Sequence, residues 1–175
     1  SWVKQMGYPV LQVESDRSGA KTQLSVSQER FVYDSLLGDS EPDTEVWRVP
    51  ISASQGGEES PITVMEGNQA QIEVPGNTDS WVKLNPLQTG FFRVNYSAED
   101  WQRLVPAIES LELHATDRLG IQNDAYALSR AGLLPVTQFL SLAQAYENED
   151  DASVWGDLAS NLRDIEQLVA NEPVH

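Results

Sequence analysis

The stretch "GFFRVNYSAEDWQRLVPAIESL", residues 90–111, holds the change of character on which the fold turns. Up to Ser97 the apolar residues recur with the period of two that belongs to a half-buried strand. Beyond it Trp101, Leu104, Val105, Ile108 and Leu111 fall on one helical stripe. Ser97 followed three residues later by Asp100 makes a near capping box, so a helix is expected to start there, with Pro106 kinking it or delaying its regular part. Strands therefore precede this point and helices follow it.

Working back from Ser97, the alternating runs "VLQVES" (10–15), "KTQLSVSQ" (21–28), "EVWRVPIS" (45–52), "PITVME" (61–66), "AQIEV" (70–74), "WVKLN" (81–85) and "GFFRVNYS" (90–97) predict seven antiparallel strands of a sandwich. Leu24 with Val26, the trio Trp47, Val49 and Ile51, and Ile62 with Val64 are the expected core positions. "DRSG" (16–19), "SQGGEES" (54–60) and "EGN" (66–68) have turn and loop composition.

Working forward, "DRLGIQNDAYALSRAG" (117–132) predicts a second helix stopped by Gly132 as C-cap. A third helix opens on Pro135 and buries Phe139, Leu140, Ala143 and Tyr146. A fourth, Ala152 to Ala170, buries Trp155, Leu158, Leu162, Ile165 and Val169, and the acidic "ENEDD" (147–151) between them reads as a solvated connection. The fold class is thus an all-β sandwich followed by all-α helical hairpins, the start of an α-superhelix, in two segregated domains.

Composition narrows the partners. With a net charge of −16 and 40% hydrophobic residues in 175, the chain can bury a core but offers no basic patch to a phosphate backbone, which argues against nucleic acid. No window is apolar enough to span a membrane, and the N-terminal residues lack the regions of a signal peptide. The absence of cysteine excludes disulfides and fits a reducing compartment, so a cytoplasmic location is expected.

Catalytic motifs do not emerge. The two histidines, His114 and His175, have no metal-ligand spacing and read as surface residues. The ladder Asp39, Glu41, Asp43, Glu45 begins like a calcium loop, but Thr44 stands at its Gly position and Pro50 at its bidentate Glu position. "SGAKT" (18–22) fails as a phosphate loop because Ala20 separates Gly from Lys, and no Ser sits in a nucleophile elbow. The sequon Asn95-Tyr96-Ser97 ends a strand and carries little weight. Neither metal nor cofactor is expected in this segment.

Four islands carry a family resemblance: "WVKQMGYPVL" (2–11), "WVKLNPLQTGFFRVNYS" (81–97), "DRLGIQNDAYALSRAG" (117–132) and "VWGDLASNLRDIEQLV" (154–169). Together, in this order, they resemble the one-zinc gluzincin aminopeptidases, most closely the puromycin-sensitive branch. The resemblance implies an internal slice of a zinc enzyme that removes single amino acids from peptide N-termini. Residues 1–9 would be the tail of the catalytic domain, 10–97 the sandwich and 98–175 the first helices of the C-terminal domain, acting as spacer and hinge. Its partners would be the catalytic and remaining helical domains of the same chain, with peptides as substrates of the complete enzyme. The family's HExxH helix, downstream Glu ligand, GAMEN-type loop and transition-state Tyr do not occur here, so no catalytic residue is carried over.

Arg118, Asn123 and Asp124 match the family's DR-x-G-x-x-N-D run and are expected to form a structural joint, with contact to substrate as the rival role. Gly120, costly inside a helix, implies close backbone approach to the sandwich or the preceding helix. An uncovered face on the last helix predicts self-association or fraying at 152–175. The competing readings are a free-standing Ig-like interaction module with a helical appendage, and an inactive, zinc-free relative of the enzymes.

Overall fold

The computed structural model describes residues 7–32 and 46–170. The ladder Asp39, Glu41, Asp43 and Glu45, the first residues of "WVKQMGYPVL", His175 and the side chain of Val169 lie outside the described residues. A β-rich part is followed by four helices, as the change of period at Ser97 requires.

Strands β1 (Tyr8–Asp16), β2 (Thr22–Phe31), β3 (Val49–Ile51), β4 (Ala53–Gln55), β5 (Glu58–Glu59), β6 (Thr63–Met65), β7 (Gln69–Val74), β8 (Val82–Leu84) and β9 (Arg93–Tyr96) form three sheets, ordered β7-β2-β1-β9, β3-β6 and β5-β4-β8. The inward residues Leu11, Val13, Leu24, Val26, Ile72 and Val94 of the large sheet join Trp47, Val49, Ile51, Val82 and Leu84 of the smaller ones in one buried cluster. Leu24, Val26, Trp47, Val49 and Ile51 are thus core residues, as their alternation predicted.

The structure departs from the expected strands in four places. β9 runs parallel to β1, pairing Val10 with Arg93 and Val13 with Tyr96, so the sheets are not wholly antiparallel. Of "EVWRVPIS" only Val49–Ile51 is a strand among the described residues, β3, which pairs β6. "SQGGEES" is a hairpin rather than a loop, because Gly56 and Gly57, both at positive φ, turn β4 back onto β5. Ile62 and Val64 are exposed, at 73% and 49%, and Met65 is buried instead. Cross-strand partners share a face, and Met65 pairs the inward Val49 while Val64 pairs the outward Pro50.

Helix α1 (Ala98–Glu109) starts where expected: Ser97 Oγ accepts from Asp100 N at 3.1 Å and donates to Asp100 Oδ2 at 2.9 Å. It runs through Pro106 and ends before Leu111, which sits half-buried at φ 57° while Leu113 enters the core. Helix α2 (Ala115–Arg130) begins two residues earlier than "DRLG", with His114 accepting from Thr116 N. Its C-cap is Ala131 rather than Gly132. Gly132 follows at φ 74° and closes a Schellman turn, Leu133 N to Leu128 O at 2.9 Å and Gly132 N to Ser129 O at 3.2 Å.

In α3 (Val136–Gln144) Phe139 and Leu142 are buried and Leu140 is exposed. In α4 (Ala152–Ala170) the buried stripe is Val154, Leu158, Asn161 and Ile165, which leaves Trp155 42% exposed. No helix among the described residues is long and apolar enough to cross a membrane.

Candidate functional site: a buried ionic junction between the sheets and α2

The loop after β8 is the first component. Asn85, Leu87 and Gln88 all take positive φ, 61°, 54° and 55°, a conformation that L-residues hold only when their surroundings fix it. Asn85 supplies part of that fixing: Oδ1 accepts from Gly90 N at 2.7 Å, while Nδ2 donates to Gly90 O and Gln88 Oε1. Asp117, in the first turn of α2, supplies the rest by accepting from Leu87 N at 2.7 Å.

Lys83 lies beneath that loop with 1% exposure. Its Nζ donates to Leu84 O at 2.7 Å and Asn85 O at 3.0 Å and faces Asp117 Oδ1 at 3.6 Å. Burial pushes the ammonium pKa down, against the pull of Asp117 and Asp124. Two turns along α2, Asp124 holds β9: Oδ1 is 3.1 Å from Arg93 Nη1, and Oδ2 accepts from Val94 N at 3.2 Å. Tyr96, three residues after Arg93, accepts from Leu84 N at 2.9 Å and so ties β9 to β8. Burial raises its phenol well above the usual range.

Between the two carboxylates stands Gly120. A Cβ there would lie 1.6 Å from Gln88 Nε2, so α2 meets the strained loop through its backbone, as the presence of glycine inside the helix implied. α1 adds a separate tie, since Asp100 accepts from Ser15 Oγ of β1 at 2.8 Å and from Arg17 Nη2 at 2.8 Å.

The other side of α2 faces helices. Arg118 grips Glu149, Nε to Oε2 at 2.7 Å and Nη2 to Oε1 at 2.6 Å, and its Nη1 donates to Leu113 O. Glu149 also accepts from Asp150 N and Asp151 N at 3.1 and 2.9 Å. Burial raises the Glu149 pKa, but Arg118 and these N–H groups outweigh it and the net shift is down. The side chain has 0% exposure, which overturns the reading of "ENEDD" as solvated throughout: a charge run faces water only where no counter-ion waits beneath it. Tyr146 Oη donates to Arg118 O at 2.7 Å, and burial raises its pKa. Gln122 donates to Asp157 Oδ2 at 2.8 Å and accepts from Asn161 Nδ2 at 3.1 Å, while Asn123 is half-buried, 3.5 Å from the same Asn161 nitrogen.

Of the three residues singled out in the sequence, Asp124 reaches the sheets, whereas Arg118 and Asn123 meet the loop before α4 and α4 itself. Lys83, Asp117 and Glu149 complete the networks and were not singled out. Arg93 and Tyr96 had a signal in that they stand within "WVKLNPLQTGFFRVNYS", one of the islands of the family resemblance. Lys83 had none, because a lysine alternating with Val82 and Leu84 reads as solvent-facing.

The donor set does not fit zinc. His114 is exposed and engaged in capping, the buried carboxylates are each taken by a cation and backbone N–H groups, and no group of three His, Cys, Asp or Glu placed to hold a metal occurs among the described residues. What the arrangement can do is fix α2 to β8, the loop after it and β9 through buried ion pairs and backbone hydrogen bonds.

Comparison with known proteins agrees in placing the match over this junction. Residues 81–175 match the family described as ERAP1-like C-terminal domain. The chain is 36% identical to puromycin-sensitive aminopeptidase of Caenorhabditis elegans over 89% of its length, 31% to aminopeptidase A of Gloydius brevicauda over 98%, and 34% to aminopeptidase M1-A of Oryza sativa subsp. japonica over 97%. It spans only 16%, 18% and 19% of those relatives. With more than half of its residues inside the match, β8, β9 and all four helices among them, the chain belongs to the ERAP1-like C-terminal domain family, as a relative of part of these aminopeptidases.

Proposed function

We propose that this chain is the non-catalytic sandwich and first helices of a zinc-dependent aminopeptidase that removes N-terminal amino acids from peptides, and that it acts as a rigid spacer between two other domains of the same polypeptide. Residues 1–9 are the tail of the catalytic domain, 10–97 the sandwich and 98–175 the start of the helical domain. Zinc belongs to the catalytic domain, and the location is cytoplasmic. Supporting this is one observation above all: Asp117 and Asp124 of α2 meet Lys83, Leu87 N, Arg93 and Val94 N where the helix packs on the sheets, contacts that must break before α2 can slide as a loose hinge would need. Arg118, Asn123 and Asp124 are structural in this reading.

The purified segment, incubated with zinc and an aminoacyl chromogenic amide, is expected to show no turnover, and turnover that co-purifies with it overturns the non-catalytic assignment. In the complete enzyme Asp117→Asn is expected to lower the unfolding temperature while kcat per folded molecule stays unchanged. A fall in kcat at unchanged stability would instead place this helix against the substrate.

A further inference from the structure

Of the buried carboxylates in and against α2, Glu149 is well supplied with donors and Asp124 is not. An ionised carboxylate offers about four acceptor sites, and charge-assisted bonds run to about 2.7–2.9 Å. Asp124 has a side-chain exposure of 5% but among the described residues receives just two donors, at 3.1 and 3.2 Å. One of these, Arg93, is 30% exposed and divides its charge between this carboxylate and solvent. Lys83, the other cation of the junction, gives its short bonds to Leu84 O and Asn85 O and sits opposite Asp117.

The remaining charged or titratable groups around the site offer Asp124 no donor. They are Tyr96 of β9, whose hydroxyl accepts from Leu84 N; Asp117 of α2 itself; Tyr8 of β1, which acts on Arg93; and Asp100 of α1, which acts on Tyr96. Burying a carboxylate with this little compensation favours its neutral form.

We propose that docking of α2 on the sheets is proton-linked through Asp124: the docked arrangement binds a proton on this carboxyl more readily than the undocked chain does, so the junction tightens as the medium turns acid. The pKa of the carboxyl moves in the same direction. Burial, the largest influence, raises it from 3.8 to about 6, with Arg93 and Lys83 pulling it back. Because the folded value lies above the unfolded one, the stabilisation is complete below 3.8 and is lost as the pH rises through about 6. The inference goes beyond the aminopeptidase reading and needs no catalytic activity for its test.

The test is urea unfolding of the whole 175-residue chain at about pH 7 and about pH 5, beside Asp124→Asn. The folded-to-unfolded ratio is expected to rise about tenfold in the more acid buffer for the wild type, and this increment to vanish in the variant, with protection of the Val94 amide rising in parallel. A ratio that is flat or falls, or an increment that Asp124→Asn retains, overturns the proposal. Should the variant fail to fold, the carbon-13 titration of the Asp124 carboxyl in the wild type decides: a midpoint near 6 supports the linkage, and one near 3.8 refutes it.

Discussion

Asp124 of α2 and Glu149, which packs against the same helix, are both buried acids, and their protonation behaviour runs in opposite directions. Glu149 meets four N–H donors, two from one guanidinium and two from the backbone, at 2.6 to 3.1 Å. Asp124 meets two, beyond 3 Å. The first carboxyl is held below its usual range and the second is pushed up to about 6. Both side chains are nearly inaccessible to solvent, but Asp124 lies deeper in the protein, so burial weighs more heavily on it. That depth, together with the number and length of the bonds that replace water, gives the two sides of α2 different characters: a fixed ionic clamp toward the helices, a proton-sensitive contact toward the sheets.

Replacing carboxylate by amide is the sharpest way to break that comparison. Glu149→Gln strands the Arg118 guanidinium with Leu113 O and the exposed Asp150, and is expected to cost about 3–5 kcal/mol at neutral pH, the usual penalty for breaking a buried pair. At Asp124 the same exchange is expected to cost nothing at neutral pH, since it removes a charge that the fold holds poorly. Urea midpoints of the two variants read the difference directly, and equal losses at both positions would show that the donor count does not govern them. The pH profile adds a second reading. Glu149 has a lowered folded pKa, so its contribution is present above the ordinary value of 4.5 and is lost as the pH falls below it, a limb that Glu149→Gln should lack.

How much of this was legible depends on whether the partner is local. Ser97 and Asp100 lie three residues apart, so cap chemistry is written in one turn, and the structure has that cap. The core strands were legible through period, but phase needs a partner. Thr63–Met65 is too short to fix its own inward face, which pairing with β3 decides. Strand direction is also absent from a local pattern, hence the unexpected parallel β1–β9 pair. In α4 the apolar reading found Leu158 and Ile165 but chose Trp155 over Val154 and passed over Asn161, an asparagine whose buried amide meets Gln122, 39 residues away. Glu149 was hidden for the same reason, its cation lying 31 residues back in the chain.

Contact between α2 and the sheets can be tested without touching a charge. Gly120→Val forces side-chain atoms into the space of Gln88, whose own position is set by positive φ and by Asn85, so the neighbour cannot simply swing away with its loop. A loss of about 1–3 kcal/mol in thermal or urea unfolding is expected, the range of overpacking. Unchanged stability would mean that the Gln88 amide rotates freely and that the ion pairs alone hold this side.

Among the substitutions expected to cost stability the smallest effect belongs to α1, whose tie to the sheets resembles the Glu149 clamp in being richly bonded. Asp100 is served by Ser15 Oγ, Arg17 Nη2 and Ser97 Oγ, with Ser97 also capping its backbone N–H. Ser97→Ala removes one donor of three and the cap together, yet leaves Asp100 bonded to β1. The cost is therefore expected to stay near 1 kcal/mol, the ordinary worth of an N-cap, with hydrogen exchange quickened in the first turn of α1 and not in α2. If exchange quickens across α2 as well, α1 and α2 dock as one unit, and the contrast between a clamped and a proton-sensitive side belongs to the helix pair rather than to α2 alone.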